Sequence, residues 1–216
     1  MKTTLSVFSL VFGVTLAASA SVSITLADLG SGGIPNNISN AAGTPTNGMQ
    51  WGIVVETVGS TFTGGGTSYN AYTAGPTTAG FLSVNGAVTH DYYIPGTTTQ
   101  NGSVWGTGNG SILDDINNIP LTNGLAAGDK FALIWFSSNP GASTSGTGDT
   151  YGFFTDASFV LPTDGNSGDY GPAFVSNPSL VGNNPFLAPI PEPSRMLLLG
   201  FGAVAGLMVR RRPVLV

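Results

Sequence analysis

Between Ser21 and Val175 the chain keeps one rhythm: short apolar runs broken by clusters of Gly, Ser, Thr and Asn such as TGGGTS, NPGASTSGTGD and DGNSGDYG. Runs of that length are strands, and the clusters supply the turns between them. In MQWGIVVETV (49–58), Trp51, Ile53, Val55 and Thr57 fall on one side and Gly52, Val54 and Glu56 on the other, which predicts a half-buried strand. KFALIWFS (130–137) sets Phe131, Leu133 and Trp135 against Ala132, Ile134 and Phe136. Apolar on both sides, it predicts a strand in the middle of a sheet. YGFFTDASFVL (151–161) places Tyr151, Phe153, Ala157, Phe159 and Leu161 together, and with 130–137 it predicts a hairpin.

Shorter runs at 21–27, 68–72, 80–86, 87–94 and 172–176 bring the total to about eight strands. Asn85-Gly86 between two alternating runs is a type I′ hairpin signal, because both central residues of that turn need positive φ. One short helix is expected over ILDDINN, capped by Ser111, with Asp114 three residues on and Pro120 as its stop. The expected class is all-β, an antiparallel β-sandwich of jelly-roll type carrying that one helix. From Asn177 the alternation ends and prolines recur. The expected organisation is therefore a body over 21–176, a linker over 177–190 and separate segments at both ends.

Charged residues make up 8% of the 216-residue chain, against about 25% in an average soluble protein. Within the body, ten acidic residues from Asp28 to Asp169 stand against Lys130 alone, a balance of −9. Such a surface repels a phosphate backbone, which excludes nucleic acid as a partner. The chain has no cysteine, so disulfides, thiolate metal sites and a Cys nucleophile are excluded as well.

The N-terminus reads MKTTLSVFSLVFGVTLAASAS: Lys2, an apolar run from Leu5 to Leu16, then Ala18 and Ala20 in the A-x-A arrangement. This is the pattern of a secretory signal helix spanning 1–20, with cleavage expected after Ala20. At the other end, Met196 to Val209 carries no charge. As a single transmembrane helix it would cover about 21 Å, short of the ~30 Å hydrocarbon layer. Arg195 and Arg210 can snorkel outward, and Gly200, Gly202 and Gly206 allow close helix packing. Arg210, Arg211 and Arg212 would stay cytoplasmic and set the topology, with the body across the membrane.

Pro191-Glu192-Pro193-Ser194, followed by a Leu- and Gly-rich segment and an Arg cluster, resembles the PEP-CTERM sorting signal of exopolysaccharide-producing Gram-negative bacteria. The resemblance covers residues 191–216. It implies recognition by an exosortase, an integral-membrane protease, with cleavage near Pro191, Glu192 and Pro193 after transient anchoring in the membrane. Transfer to the cell surface or the extracellular space would follow. Its implied partners are the secretion machinery and the exosortase.

Candidate chemistry within the body is thin. His90 is the single histidine and sits in a strand-like run, and no G-x-S-x-G elbow accompanies it. Asp114 and Asp115 are neighbours and point apart, whereas glycoside hydrolysis needs two carboxyls about 5–9.5 Å apart across a sugar. Glu56, the one glutamate of the body, would need an Asp partner for such work. Asp164, Asn166 and Asp169 in DGNSGDYG offer oxygen ligands of the kind Ca²⁺ takes, but not in EF-hand order. Tyr92, Tyr93, Trp105, Tyr69 and Tyr72, near Asn and Asp side chains, could stack a carbohydrate. With no catalytic set assembled and no cofactor required, the expected role is non-enzymatic: an exported structural protein of an exopolysaccharide matrix. A carbohydrate-binding module is the alternative, and a glycan-degrading hydrolase using Glu56 is the second.

Overall fold

The computed structural model of the protein describes residues 20–26, 38–57, 69–84, 87–100, 108–137, 145–170, 180–185 and 187. Its strands are β1 (Ser21–Thr25), β2 (Ile38–Ser39), β3 (Gln50–Glu56), β4 (Gly80–Val84), β5 (Ala87–Thr98), β6 (Ile116–Pro120), β7 (Phe131–Phe136), β8 (Thr150–Phe154), β9 (Ser167–Asp169), β10 (Leu180–Val181) and β11 (Asn184–Pro185). Among the described residues the fold is all-β, without helix. Six strands form one antiparallel sheet in the order β11-β8-β7-β3-β5-β4, and two smaller sheets have the orders β6-β1-β9 and β10-β2.

As expected, β7 lies centrally, between β3 and β8, and every one of its residues is buried. The β7–β8 hairpin forms as well. Val84 pairs with Ala87, the register of a two-residue connection, although Asn85 and Gly86 themselves lie outside the described residues.

Two hydrophobic clusters occupy the two faces of the six-stranded sheet. The first takes Trp51, Ile53 and Val55 from β3 and Phe131, Leu133 and Trp135 from β7, together with Val22 and Ile24 of β1 and Ile116 and Ile119 of β6. It thereby joins the three-stranded sheet to the larger one. Both tryptophans lie over glycines of a neighbouring strand: Trp51 over Gly96, and Trp135 over Gly152, where an added Cβ would overlap the indole. The second cluster holds Val54, Ile134 and Phe136 under Tyr69 and Tyr72. That cover changes one expectation. Strand β3 is buried on both faces up to Val55, and only Glu56 is half-exposed.

Four further expectations are corrected. ILDDINN is no helix: Ser111 exchanges backbone hydrogen bonds with Gln100, and Ile116–Pro120 is β6. The isoleucines at 112, 116 and 119 have helical spacing, yet Val22 pairs with Ile119 and Ile24 with Ile116. Three steps on β6 thus match two on β1. Asn118 absorbs the extra residue at φ 56°, a left-handed backbone that Asn tolerates, and its N–H donates to Ser23 Oγ at 3.3 Å. The linker expected over 177–190 contains β10 and β11, which pair with β2 and β8, and Leu180 is buried in the first cluster. Pairing is not uniformly antiparallel, because β1–β9 and β10–β2 are parallel. Finally, 151–161 is not one face. A turn at Asp156–Phe159 lets Tyr151 and Phe153 serve the second cluster while Phe159 and Leu161 serve the first.

Residues 1–19, the run 172–176 and the whole of 191–216 lie outside the described residues, and with them the segments expected to be a signal helix, a sorting motif and a transmembrane helix. No helix among the described residues is long and apolar enough to cross a membrane.

Candidate functional site

The tyrosine-covered face holds the most concentrated polar chemistry of the described residues. Alternation along β3 and β5 puts Val54 and Glu56 on the same side as Tyr93 and Asp91, and Glu56 stands directly opposite Asp91 in the register. Asp91 is fully buried, and the Tyr69 hydroxyl donates to its Oδ2 at 2.6 Å. Burial, with the Asp91 carboxylate adding to it, pushes the Tyr69 phenol far above its ordinary range. Burial also raises the Glu56 carboxyl; Lys130 pulls it down, and Asp91 and Asp129 push it up. The pairing of Glu56 with an Asp that a hydrolase would need therefore exists in register. Its second carboxylate, however, sits at zero exposure beneath a tyrosine ring, where neither water nor sugar arrives.

Other hydroxyls on this face serve the covering segment. Tyr93 donates to Pro76 O at 2.5 Å and Tyr72 to Thr78 O at 2.7 Å, each phenol satisfying a loop carbonyl. The ring of Tyr93 is wholly buried, edge-on to Tyr72 and Phe136. The expectation that Tyr93 stacks a sugar is corrected accordingly: a second layer over β5 closes off both ring faces. Trp105 lies outside the described residues, as does the side chain of His90.

Tyr92 faces the other way and is half-buried. Phe81, on β4 at the sheet edge, is 40% exposed and meets Tyr92 edge-on at 5.0 Å. Asn123, in a left-handed backbone at φ 57°, donates from Nδ2 to the Tyr92 hydroxyl at 3.2 Å. An aromatic pair with an amide at its rim is the kind of surface that stacks a sugar ring and hydrogen-bonds its hydroxyls. Sequence reading missed Phe81. Counting back from a two-residue turn pairs it with His90, but the register shifts between Leu82 and Val84 and brings Phe81 opposite Tyr92.

In DGNSGDYG, Asp164 Oδ1 accepts from the backbone N–H of Ser21 at 2.9 Å. The Asn166 side-chain amide donates to Thr163 Oγ1 at 2.6 Å, and the Asn166 backbone carbonyl accepts from Ser23 N. Asp169 closes β9 against Thr25 of β1. The residues that could have held Ca²⁺ thus tie the loop to β1. Among the described residues no three His, Cys, Asp or Glu side chains gather as a metal-ligating group.

Further carboxylates do comparable local work. Asp129 accepts from Ala126 N, Asp149 from Gly146 N, and Asp114 from Thr97 Oγ1 and Gln100 Nε2. Asp156 accepts from the backbone and hydroxyl of Ser158, which hold its carboxyl below the usual range. Beside it, Lys130, Thr155 and Ala157 complete an open depression. Comparison of the chain with family models, with curated proteins and with solved structures returned no match.

Proposed function

We propose that the chain is an exported cell-surface or extracellular-matrix protein, processed at both ends, that serves as a structural component of an exopolysaccharide layer. The observation that carries this reading is the pairing of a signal-peptide pattern ending at Ala20 with the Pro191-Glu192-Pro193, apolar run and Arg210-Arg211-Arg212 order at the other end. The body supports it. Asp129, Asp149 and Asp156 are engaged within their own turns, and the chain is rich in Gly, Thr, Ser and Asn. We assign it a β-sandwich of jelly-roll type, the three-stranded sheet being one layer and the six-stranded sheet the other, on the strength of the cluster shared between them. Fractionation of producing cells tests the delivery. The native chain accumulates at the surface or in the medium, and replacement of Pro191, Glu192 and Pro193 by alanine holds it in the membrane fraction. Equal distribution of both forms contradicts exosortase sorting.

Carbohydrate binding is the second reading, and the exposed Phe81 against half-buried Tyr92, with Asn123 at its rim, favours it. A glycan array with the native chain shows reproducible binding that Phe81→Ala abolishes. Silence across the array, or binding unchanged in Phe81→Ala, leaves the structural role alone.

A further inference from the structure

We infer that Asp164 is the docking group for the α-ammonium that signal-peptide cleavage creates at Ser21, so that processing itself tightens the fold at its first mature residue. The inference rests on the export reading above and deepens it.

The acceptor is already in place. In the uncut chain the backbone N–H of Ser21 donates to Asp164 Oδ1 at 2.9 Å, and the Ser21 carbonyl accepts from Gly165 N at 2.9 Å. One residue pair further, Ser23 N donates to Asn166 O at 3.1 Å, and β1 and β9 then run in parallel from Ser23 opposite Ser167. The turn that carries Asp164 is braced from within. Asn166 N bonds Thr163 O at 3.0 Å, its amide bonds Thr163 Oγ1, and Gly165 supplies the left-handed backbone at φ 76°. The carboxylate is thus held on a turn laced to β1 just beyond the Ser21 nitrogen.

Cleavage changes that atom and leaves its position alone. Hydrolysis of the Ala20–Ser21 peptide bond by the export machinery consumes one water. Ala20 leaves with a carboxylate, and Ser21 keeps an amine that takes up a proton at neutral pH. An N–H···O⁻ contact charged on the acceptor alone becomes an ammonium–carboxylate pair charged on both partners, which adds a Coulomb attraction that salt screens at this exposed site. The opposite strand makes the cut inexpensive. Ser21 pairs with Pro120, which has no N–H to lose, and the one bond that departs is Leu121 N to Ala20 O, beside a half-exposed residue.

The test compares exported protein that begins at Ser21 with protein exported from a gene carrying one extra Gly between Ala20 and Ser21, each with and without Asp164→Asn. N-terminal sequencing comes first. Asp164→Asn lowers Tm by about 2–4 °C in the chain beginning at Ser21 and by no more than about half of that in the Gly-extended chain, whose Ser21 carries a neutral amide. An equal loss in both, or none in the first, overturns the capture while leaving the export reading intact. A native terminus at another residue overturns the processing premise instead. Acylation of the Ser21 amine, followed by mass spectrometry of the N-terminal peptide, gives a reading independent of stability. Asp164→Asn speeds it several-fold, and an unchanged rate counts against the pair.

Discussion

On one face of the six-stranded sheet, Trp51, Ile53, Val55, Phe131, Leu133 and Trp135 meet hydrocarbon from β1 and β6. On the other face of the same strands, Val54, Ile134 and Phe136 lie under Tyr69 and Tyr72, with Tyr93 among them. The difference follows from what closes each face. Strands β1 and β6 satisfy backbone groups by pairing with each other, so the side chains they bring to the first face are apolar. An irregular segment such as 69–79 brings backbone carbonyls that need donors, and phenol is the side chain that fills space like Phe while donating one hydrogen bond. Hence Tyr93 to Pro76 O and Tyr72 to Thr78 O, whereas Tyr69 meets a different need by donating to the buried Asp91 carboxylate. The first face is held mostly by volume, with Trp135 Nε1 and the Tyr170 hydroxyl each donating to a backbone carbonyl, and the second face relies more heavily on such hydroxyls.

Substitutions on the two faces should therefore fail for different reasons. The largest effect is expected from Trp135→Ala, which empties a fully buried site and strips the Nε1 bond to Ser39 O. A loss of about 3–5 kcal/mol is expected in denaturant unfolding, and a loss under about 1 kcal/mol would break the volume account. Next comes Tyr69→Phe, which keeps the ring and removes a donor from buried Asp91; it should cost about 1–3 kcal/mol. A near-neutral result there would show that the face is held by packing after all.

The smallest effect is Tyr72→Phe, about 0.5–1.5 kcal/mol, and it carries a pH signature. Burial pushes the Tyr72 phenol up to about 12 and those of Tyr69 and Tyr93 higher. For an acid raised in the folded state, the stabilisation is whole below the unfolded value near 10 and drains away as pH climbs through the folded one. Stability should hold up to about pH 10 and fall above it, with phenolate absorbance and loss of β-sheet circular dichroism rising together. Tyr72→Phe should move that alkaline limit upward. Phenolate absorbance that saturates well before the fold is lost would place these tyrosines in solvent.

Local pattern made much of the fold readable. The double-sided apolar run 130–137 announced the central strand, and Asn85-Gly86 announced the β4–β5 pairing. What escaped depends on partners distant in sequence or on backbone that side-chain periodicity disguises. Asn118 in left-handed backbone let β6 wear a helical spacing of isoleucines. The second face of β3 looked exposed because its cover, Tyr69 and Tyr72, is supplied from another part of the chain. The same cover buries Tyr93, and a register shift sets Phe81 opposite Tyr92; neither is written in the local alternation. Strands of two residues, such as β10 and β11, are too short to leave a pattern at all.

The account stands or falls on where the mature chain begins and ends. Intact-mass measurement of protein recovered from the cell surface or medium is expected to give a chain starting at Ser21, ending near Pro191-Glu192-Pro193 and lacking Arg210, Arg211 and Arg212. Surface material with the mass of all 216 residues would contradict it.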